Sequence, residues 1–400
     1  MRTILGTLVA VSLIACSSAP PPEPMPPPAP EPAMPAPPPV AEAPPPKEPT
    51  AEEKKKAQEA KELQEDRLKM EATHQREMAR LSPEIRAEVK ALAEKAFPSG
   101  KAAVTAAMAS KHRAAGNAER DKDRHPAETL DFWGYKSNMT VFEYGPGEGW
   151  FTELLAPTLA KSGQLLVNNG DANGPADQRG TFYAQRLKLF LERLPEAYGK
   201  VKVVVTDSKA PDMKTENAVD MVIIARGLHG MKNNGNLSAW LDQAHKMLKA
   251  NGILAIEQHR AAPDANVDEA SKKGYLPEKW VIEQIEAAGF KLSKKSEINA
   301  NPEDTKDYPD GVWNLPPTLE GGEKDRAKYV GIGESDRMTL KFTKVVKKAA
   351  PAAKADAAAP AKTDPAAKAG ASAPTKVDAA APKKVDGAKP PAPAPAPPKM

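Results

Sequence analysis

Apolar and polar positions alternate with two different periods in the middle of the chain. Seven short apolar runs predict strands, at 140–144, 164–168, 201–206, 219–225, 252–257, 290–298 and 338–346. Helical spacing of apolar residues marks four segments between them, at 149–160, 178–194, 237–249 and 277–288. Strands that alternate with helices predict parallel crossover units, and therefore an α/β fold with a doubly wound sheet. Ligands of such sheets bind beyond the carboxyl ends of the strands.

Two helical segments are predicted before the first strand. Thr50 and Glu53 have the spacing of a capping box, and the charged helix that they begin, over 51–80, has so few apolar positions that we expect it to be solvated. A second helix begins at Ser82-Pro83, and one of its faces carries Ile85, Val89, Leu92, Ala93 and Ala96. That face predicts packing against another element. The sequence thus divides into a charged helical region at 50–115 and a folded domain at 116–346.

Proline distinguishes the two ends of the chain from its middle. Of 42 prolines, 17 fall in 17–49 and 11 in 347–400. The first segment favours extended polyproline II and predicts a disordered, semi-rigid linker. The second consists almost entirely of Ala, Pro, Lys and Asp, which bury too little apolar surface to fold, so we expect a disordered tail. The 400 residues therefore do not share one large core.

The positive charge belongs to the tail. Residues 347–400 hold ten Lys and four Asp, whereas the whole chain has a net charge of +4, so the rest sums to −2. Two interpretations remain open: a solvated spacer, or adhesion to an anionic polymer such as cell-wall material or nucleic acid. No aromatic residue is interleaved for base stacking, and no specific nucleic-acid partner is expected.

The first sixteen residues have the pattern of an export signal. Arg2 is followed by a mostly apolar run that is too short to span a bilayer. The run ends in Leu13-Ile14-Ala15-Cys16, which resembles the lipobox of bacterial lipoproteins. The resemblance implies a signal peptide at 1–16, a lipid on Cys16 and, from Ser17, an outer-membrane location facing the periplasm. The alternative is a plain signal peptide whose cysteine is accidental; this cysteine is the only one in the chain.

A glycine-rich run follows the first predicted strand and reads Glu143-Tyr144-Gly145-Pro146-Gly147-Glu148-Gly149. Glycines allow a tight turn and close approach of the backbone to a ligand, and the next helix offers free N–H groups. The dinucleotide fingerprint would need its third glycine where Trp150 stands. The Gly-x-Gly-x-Gly spacing instead resembles the first motif of class I S-adenosylmethionine-dependent methyltransferases. A turn of purely structural use is the alternative.

The resemblance to these methyltransferases covers about 121–346. The segment 220–224 is similar to the family's fourth strand, and 248–254 is similar to the turn into its fifth strand. The segment 287–290 is similar to the helix end before its sixth strand. The chain also resembles a subgroup of predicted methyltransferases with export signals, at residues 121–134, 145–153 and 258–261. The family implies a Rossmann-like, seven-stranded sheet and S-adenosylmethionine as cofactor. The subgroup further implies a roof over the site formed by Arg124, His125 and Glu128.

The family resemblance also implies cofactor-binding positions: Glu143, Gly145, Gly147, Gly149, Asn168, Asn169 and Asp207. Asn168 and Asn169 stand where most family members carry an acid for the ribose hydroxyls, and an amide bonds a hydroxyl without charge. Asp207 matches the position that often contacts the adenine amine, although a capping or loop role is an equal alternative. Gln258 replaces the subgroup's aspartate.

Two histidines follow neighbouring strands of the predicted sheet. His229 comes after the fourth strand and His259 after the fifth, so both are expected in one cleft. One of them would serve as a general base or contact the substrate. They could also be ordinary loop histidines, or pair with Glu257 or Asp264 at a metal; we expect no metal site.

Three functions are consistent with these features. The leading hypothesis is a methyltransferase that acts on an unidentified small molecule and is tethered outside the cytoplasm. Its difficulty is supply, because the charged cofactor is made in the cytoplasm and does not cross a bilayer readily. The second hypothesis is a non-catalytic binding module on the same fold. The third is a structural envelope lipoprotein in which the linker and tail matter most.

Overall fold

A central seven-stranded sheet organises the computed structural model, which describes residues 49–346. Its strands are β1 (Thr140–Tyr144), β2 (Gln164–Asn169), β3 (Lys202–Val205), β4 (Val219–Ala225), β5 (Leu248–His259), β6 (Phe290–Ser296) and β7 (Arg337–Lys344). They lie in the order β3-β2-β1-β4-β5-β7-β6. The first five in this order are parallel, and β7 runs antiparallel to both β5 and β6. The predicted Rossmann-like, doubly wound α/β fold of class I methyltransferases is confirmed.

Helices cover the sheet on both sides. Before β1 come α1 (Ala51–Arg80), α2 (Pro83–Glu94), α3 (Gly100–Ala109), α4 (Ala115–Ala118), α5 (Asp121–Arg124) and α6 (Pro126–Trp133). The rest are α7 (Trp150–Leu159), α8 (Arg179–Glu192), α9 (Pro195–Tyr198), α10 (Leu228–Asn233), α11 (Leu237–Met247), α12 (Val267–Lys272), α13 (Glu278–Ala287) and α14 (Arg326–Ile332). Among the helices of residues 49–346, none combines the length and apolar character that a membrane span requires.

The largest difference from the predicted strands concerns β5, which begins four residues early. Leu248 is buried and pairs with Val219, so the expected turn becomes part of the strand. The register shifts between Val219 and Met221, and Asn251 adopts a left-handed φ of 61°. An asparagine tolerates this conformation better than most residues, which lets the chain bulge and stay paired.

The N-terminal helices are confirmed in position and corrected in detail. Glu53 N donates to Thr50 Oγ1 at 3.2 Å and Thr50 N donates to Glu53 Oε2 at 2.7 Å, which completes the capping box. Most of α1 is exposed, as expected for a solvated helix, and only Leu63 and Glu77 are buried; one of its faces nevertheless lies along α8. Arg67 donates there to Gln185 Oε1 at 2.6 Å and to the Ala176 carbonyl at 2.7 Å. These contacts are polar, so apolar periodicity did not reveal them.

Two hydrophobic clusters fill the space on the two faces of the sheet. One unites α2, α3, α6 and α7 with β1 and β2 and includes Val89, Val104 and Trp133. The other packs α11 and α13 against β4, β5 and β7. The predicted buried face of α2 is confirmed for Val89, Leu92 and Ala93, whereas Ala96 is exposed. The region 50–115 therefore contributes to the same core as the sheet.

Several predictions fall outside the described residues. These are the signal peptide and lipid-bearing Cys16, residues 17–48 of the linker, and the tail at 347–400.

Candidate functional site

The loop between β1 and α7 contains three glycines with left-handed backbone conformations. Gly145, Gly147 and Gly149 have φ of 55°, 59° and 84°. A Cβ on Gly145 would meet no heavy atom within 4 Å, and one on Gly147 only the Gly145 carbonyl oxygen at 3.9 Å. A Cβ on Gly149 would lie 2.3 Å from the Phe190 ring. Gly145 and Gly147 thus face open space that a ligand can approach, whereas Gly149 is required for packing.

Glu143 lies beneath this loop at the end of β1. It is buried, and its Oε2 accepts a hydrogen bond from Thr152 Oγ1 at 2.7 Å. Burial raises the pKa of Glu143 to about 7, against the smaller opposing effects of the Thr152 hydroxyl and the Arg226 cation. The carboxyl therefore joins the end of β1 to α7 and titrates near neutral pH.

The two asparagines at the end of β2 have different roles. Asn168 Oδ1 accepts a hydrogen bond from the Gly145 N–H at 2.9 Å, which holds the glycine loop against β2. Asn169 Oδ1 accepts from Gly170 N, and its Nδ2 donates to the Tyr183 carbonyl at 3.2 Å. Asn169 thus fixes the chain toward α8. Of the two asparagines, only Asn168 lies next to the glycine loop, where its amide nitrogen Nδ2 can donate a hydrogen bond.

Asp207 follows β3 on an exposed turn. Its Oδ1 accepts a hydrogen bond from Lys209 N at 2.8 Å. The alternative in which Asp207 is a loop residue therefore accounts for this contact. A role toward an adenine amine stays a prediction.

The two histidines lie side by side, because β4 and β5 pair directly in the sheet. Their ring centroids are 5.8 Å apart. Burial lowers the pKa of His229. Burial also lowers the pKa of His259 well below its ordinary value, and repulsion from His229 and from nearby arginines such as Arg226 adds to this effect. His259 Nδ1 lies 2.5 Å from Ser335 Oγ. Both rings are therefore neutral at pH 7.

Gln258 determines which nitrogen of His229 carries the proton. Gln258 Nε2 donates to the Gly274 carbonyl at 2.8 Å, which orients the amide, and lies 3.3 Å from His229 Nδ1. Because the amide nitrogen donates, Nδ1 accepts and the neutral ring is protonated at Nε2. His229 thus offers an N–H donor at Nε2, which suits contact with a substrate better than proton abstraction.

A buried network of arginines and glutamates lies next to the histidines. Glu257 pairs with Arg337 at 2.6 Å and with Arg226 at 3.5 Å. Glu334 pairs with Arg337 at 2.7 Å and with Arg124 at 2.8 Å. Burial opposes ionisation of Glu334, but the two arginines outweigh it and hold its pKa at about 2. These residues come from distant segments, and no local motif marks them.

The network also bears on the alternative in which the histidines pair with Glu257 at a metal. Glu257 is engaged by two arginines, so it is not available to join the histidines at a metal. Within residues 49–346, no group of three or more His, Cys, Asp or Glu side chains is arranged to hold a metal ion.

The expected roof is assembled only in part. The Arg124 guanidinium carbon lies 4.9 Å from the Trp150 ring centroid, beside the glycine loop. His125 Nδ1 lies 3.3 Å from Asn299 Oδ1. Glu128 instead points to the surface and pairs with Lys101 at 3.6 Å. The structure adds Trp313, whose ring centroid is 6.0 Å from that of His229, and which no sequence motif indicated.

A small recess opens between the glycine loop and β4. Its volume is about 30 Å³, and its lining includes Glu143, Tyr144, Gly145, Ile223 and Arg226. Ligand pockets usually have volumes of roughly 300–1,000 Å³. The recess is therefore too small for a nucleoside, whereas the space beside Gly145 and Gly147 is open.

Comparison with known proteins finds similarity among solved structures. No family model matches the chain, and no curated protein matches its sequence. A SAM-dependent methyltransferase from Aquifex aeolicus is 16% identical, over 57% of this chain and 93% of its own, with a TM-score of 0.38. The [4+2]-cyclase SpnF is 14% identical, over 56% and 82% of the two chains, with a TM-score of 0.40.

A third similar structure comes from Burkholderia thailandensis. It is 1,6-didemethyltoxoflavin-N1-methyltransferase with bound 1,6-didemethyltoxoflavin and S-adenosylhomocysteine. It is 14% identical over 57% of this chain and 80% of its own, with a TM-score of 0.35. These similarities concern the fold, which the strand order of the sheet itself defines.

Glu143→Gln is expected to reduce the pH dependence of stability. The native carboxyl keeps its proton up to about pH 7, whereas the unfolded one loses it near 4.5. Unfolding of the wild type therefore becomes easier as pH rises through this window, by about 2–3 kcal/mol from this group. Urea unfolding at pH 5 and pH 8 should show that the variant loses less unfolding free energy between these two pH values than the wild type does. The exposed Glu283→Gln should match the wild type, and equal losses in all three proteins would refute the assignment.

Proposed function

We propose that the folded domain is an S-adenosylmethionine-dependent methyltransferase that acts on a small molecule. The observation that carries the proposal is the open glycine loop at the carboxyl edge of the sheet. Gly145 and Gly147 leave room for close approach there, and the Asn168 amide and the buried Glu143 hold the loop in place. S-adenosylmethionine, when bound, would supply the methyl group.

The chain's own residues would bind and orient the reactants. Loop N–H groups and the first turn of α7 would donate hydrogen bonds to the carboxylate of the cofactor's methionine part. The free N–H of Asn168 Nδ2 would donate to a ribose hydroxyl. His229 Nε2–H would donate to the methyl acceptor, in line with its hydrogen bond from Gln258. Trp313 would shield one side of that group from water.

Gly147→Arg is expected to abolish cofactor binding. A long cationic side chain would fill the space beside the loop and strain a backbone with φ of 59°. Calorimetry on the purified chain should find micromolar S-adenosylmethionine binding, weakened at least 100-fold in the variant. Gly331→Arg is the matched control, since Gly331 is exposed and a Cβ added to it would meet no heavy atom within 4 Å. Unchanged binding in Gly147→Arg would exclude the loop as the site.

A second candidate function is a non-catalytic binding module on the same fold. The observation that favours it is Arg226, a cation that lines the recess next to Glu143. A fixed cation repels the positively charged sulfonium of S-adenosylmethionine but not the neutral thioether of S-adenosylhomocysteine. Binding of S-adenosylhomocysteine without binding of S-adenosylmethionine in the same calorimetry would favour this candidate over methyl transfer.

We also propose that the protein belongs to the exported subgroup and is anchored in the bacterial envelope through a lipidated Cys16, on the outer membrane facing the periplasm. The support is the lipobox-like run before Cys16 and the absence of any other cysteine in the sequence. The basic tail would then reach anionic cell-wall polymer.

Cys16→Ser is expected to release the protein from the membrane. Without a thiol no lipid can be attached, so fractionation of cells should move the protein from the membrane to the soluble fraction. Ser18→Ala, two residues away, should leave it in the membrane fraction. A Cys16→Ser protein that stays membrane-bound would contradict lipid anchoring.

A further inference from the structure

A cavity lies between α1 and α8. Its volume is about 610 Å³, within the range of small-molecule sites. It borders the glycine loop at Gly147 and Glu148, whereas the recess described above borders it at Gly145 and Pro146. We propose that this cavity, which we call the α1–α8 cavity, binds a phosphorylated small molecule with a planar aromatic group. The proposal is independent of the methyltransferase function.

Polar contacts at its two ends hold the α1–α8 cavity open. At one end, Arg179 pairs with Asp66 at 2.6 Å, and Arg67 reaches across to Gln185. At the other end, Arg80 pairs with Glu77 and donates to the carbonyls of Lys111 and His112. α1 is therefore tied to α8 at one end of the cavity and to the segment that follows α3 at the other, which retains the space between the helices.

The charge of the α1–α8 cavity favours an anion. Its lining contains three acidic residues, namely Asp66, Glu77 and Glu148, and six cationic ones, namely Lys69, Arg76, Arg120, Arg179, Arg186 and Arg193. This excess of cationic residues is local to the cavity, because the net charge of the chain without its tail is −2. A concave surface of one charge sign concentrates ligands of the other, and arginine forks suit phosphate oxygens.

Two of these arginines have unused binding capacity. Within residues 49–346, Arg193 pairs with no carboxylate; its guanidinium carbon lies 4.4 Å from the Phe190 ring centroid. Arg186 contacts Glu148 Oε1 at 3.2 Å, but its Nε is buried with no hydrogen-bond partner among the described residues. A phosphate would satisfy that donor and balance the charge of both arginines.

Aromatic surface next to these arginines suits a planar group. The side chain of Tyr183 lines the cavity and is 43% exposed, which is unusual for so large a ring. The Arg186 guanidinium carbon lies 5.1 Å from the Tyr183 centroid and 5.7 Å from the Phe182 centroid. A base could stack on this arginine–tyrosine surface, since bases stack on aromatic rings and on guanidinium planes alike.

The test is calorimetric titration of the full chain with guanosine 5′-diphosphate and, separately, with pyrophosphate. We expect micromolar binding of the nucleotide, at least tenfold tighter than that of pyrophosphate. Arg186→Gln and Arg193→Gln should each weaken nucleotide binding at least tenfold. Lys188→Gln is the matched control, because Lys188 lies on the same helix, pairs with Glu192 and does not line the cavity. Two arginine variants are used so that a folding defect in one leaves the other informative.

Four outcomes would overturn the proposal. No nucleotide binding would exclude the site, and an equal loss in Lys188→Gln would show only a general charge effect. Displacement of the nucleotide by saturating S-adenosylhomocysteine would mean that both occupy one site at the glycine loop. Pyrophosphate that binds as tightly as the nucleotide would exclude the aromatic part of the ligand. Independent binding of the two compounds would support two separate sites, whatever the outcome for methyl transfer.

Discussion

Arg337→Ala is expected to lower the free energy of unfolding by about 3–5 kcal/mol. Arg337 is almost fully buried and pairs with both Glu257 and Glu334. Its removal leaves two buried carboxylates that the neighbouring arginines only partly compensate. The loss should appear as a lower urea midpoint with an unchanged slope, because the surface exposed on unfolding stays the same.

The control for this prediction is Arg326→Ala. Arg326 is exposed, and its ion pair with Glu323 is long, at 4.0 Å. Its removal should therefore change the free energy of unfolding by less than about 0.5 kcal/mol. Arg337→Lys should recover part of the loss, since a single ammonium cannot reach both carboxylates as the guanidinium does. A loss below about 1 kcal/mol in Arg337→Ala would contradict a buried network that stabilises the native state.

Trp133→Ala is expected to cost about 3–5 kcal/mol of unfolding free energy. Trp133 has no exposed surface, and its indole N–H donates to the Leu340 carbonyl at 3.1 Å, which joins α6 to β7. Truncation leaves a large cavity in the cluster shared by α3, α6 and α7 and removes the hydrogen bond to Leu340. Thermal unfolding should show the largest loss of melting temperature among the tryptophan variants.

Two further variants separate the contributions at this position. Trp133→Phe keeps most of the packing and loses the hydrogen bond, so it should cost clearly less than Trp133→Ala. Trp280→Ala removes a half-buried tryptophan from the other face of the sheet and should also cost less. Equal effects of Trp133→Ala and Trp280→Ala would argue against the central place of Trp133 in the core.

The element pattern was predictable because it depends on local periodicity. Strands such as β1 and β4 are short, continuous apolar runs between turn residues, and their bounds match the structure. The course of β5 was harder to predict, because Leu248 becomes a strand residue only by pairing with Val219. The same limit applies to α1, whose contacts with α8 are made by arginine and glutamine side chains.

The site was predictable in place but not in the role of each residue. The glycine loop and both histidines lie at the carboxyl edge, as parallel strand order requires. Gly149, however, serves contact with Phe190, and Asn169 serves the turn toward α8. The tautomer of His229 depends on Gln258, which lies in β5, and on Gly274, which follows α12.

The sequence by itself determined the α/β fold, the glycine loop after β1 and the pairing of His229 with His259 in one region, because these follow from spacing along a single chain segment. Only the tertiary structure decided the buried arginine–glutamate network and the α1–α8 cavity. Arg124, Arg226, Glu257 and Arg337 are far apart in the sequence and share no pattern. Charge pairing and cavity shape depend on distances in space, which the fold sets and a linear pattern does not contain.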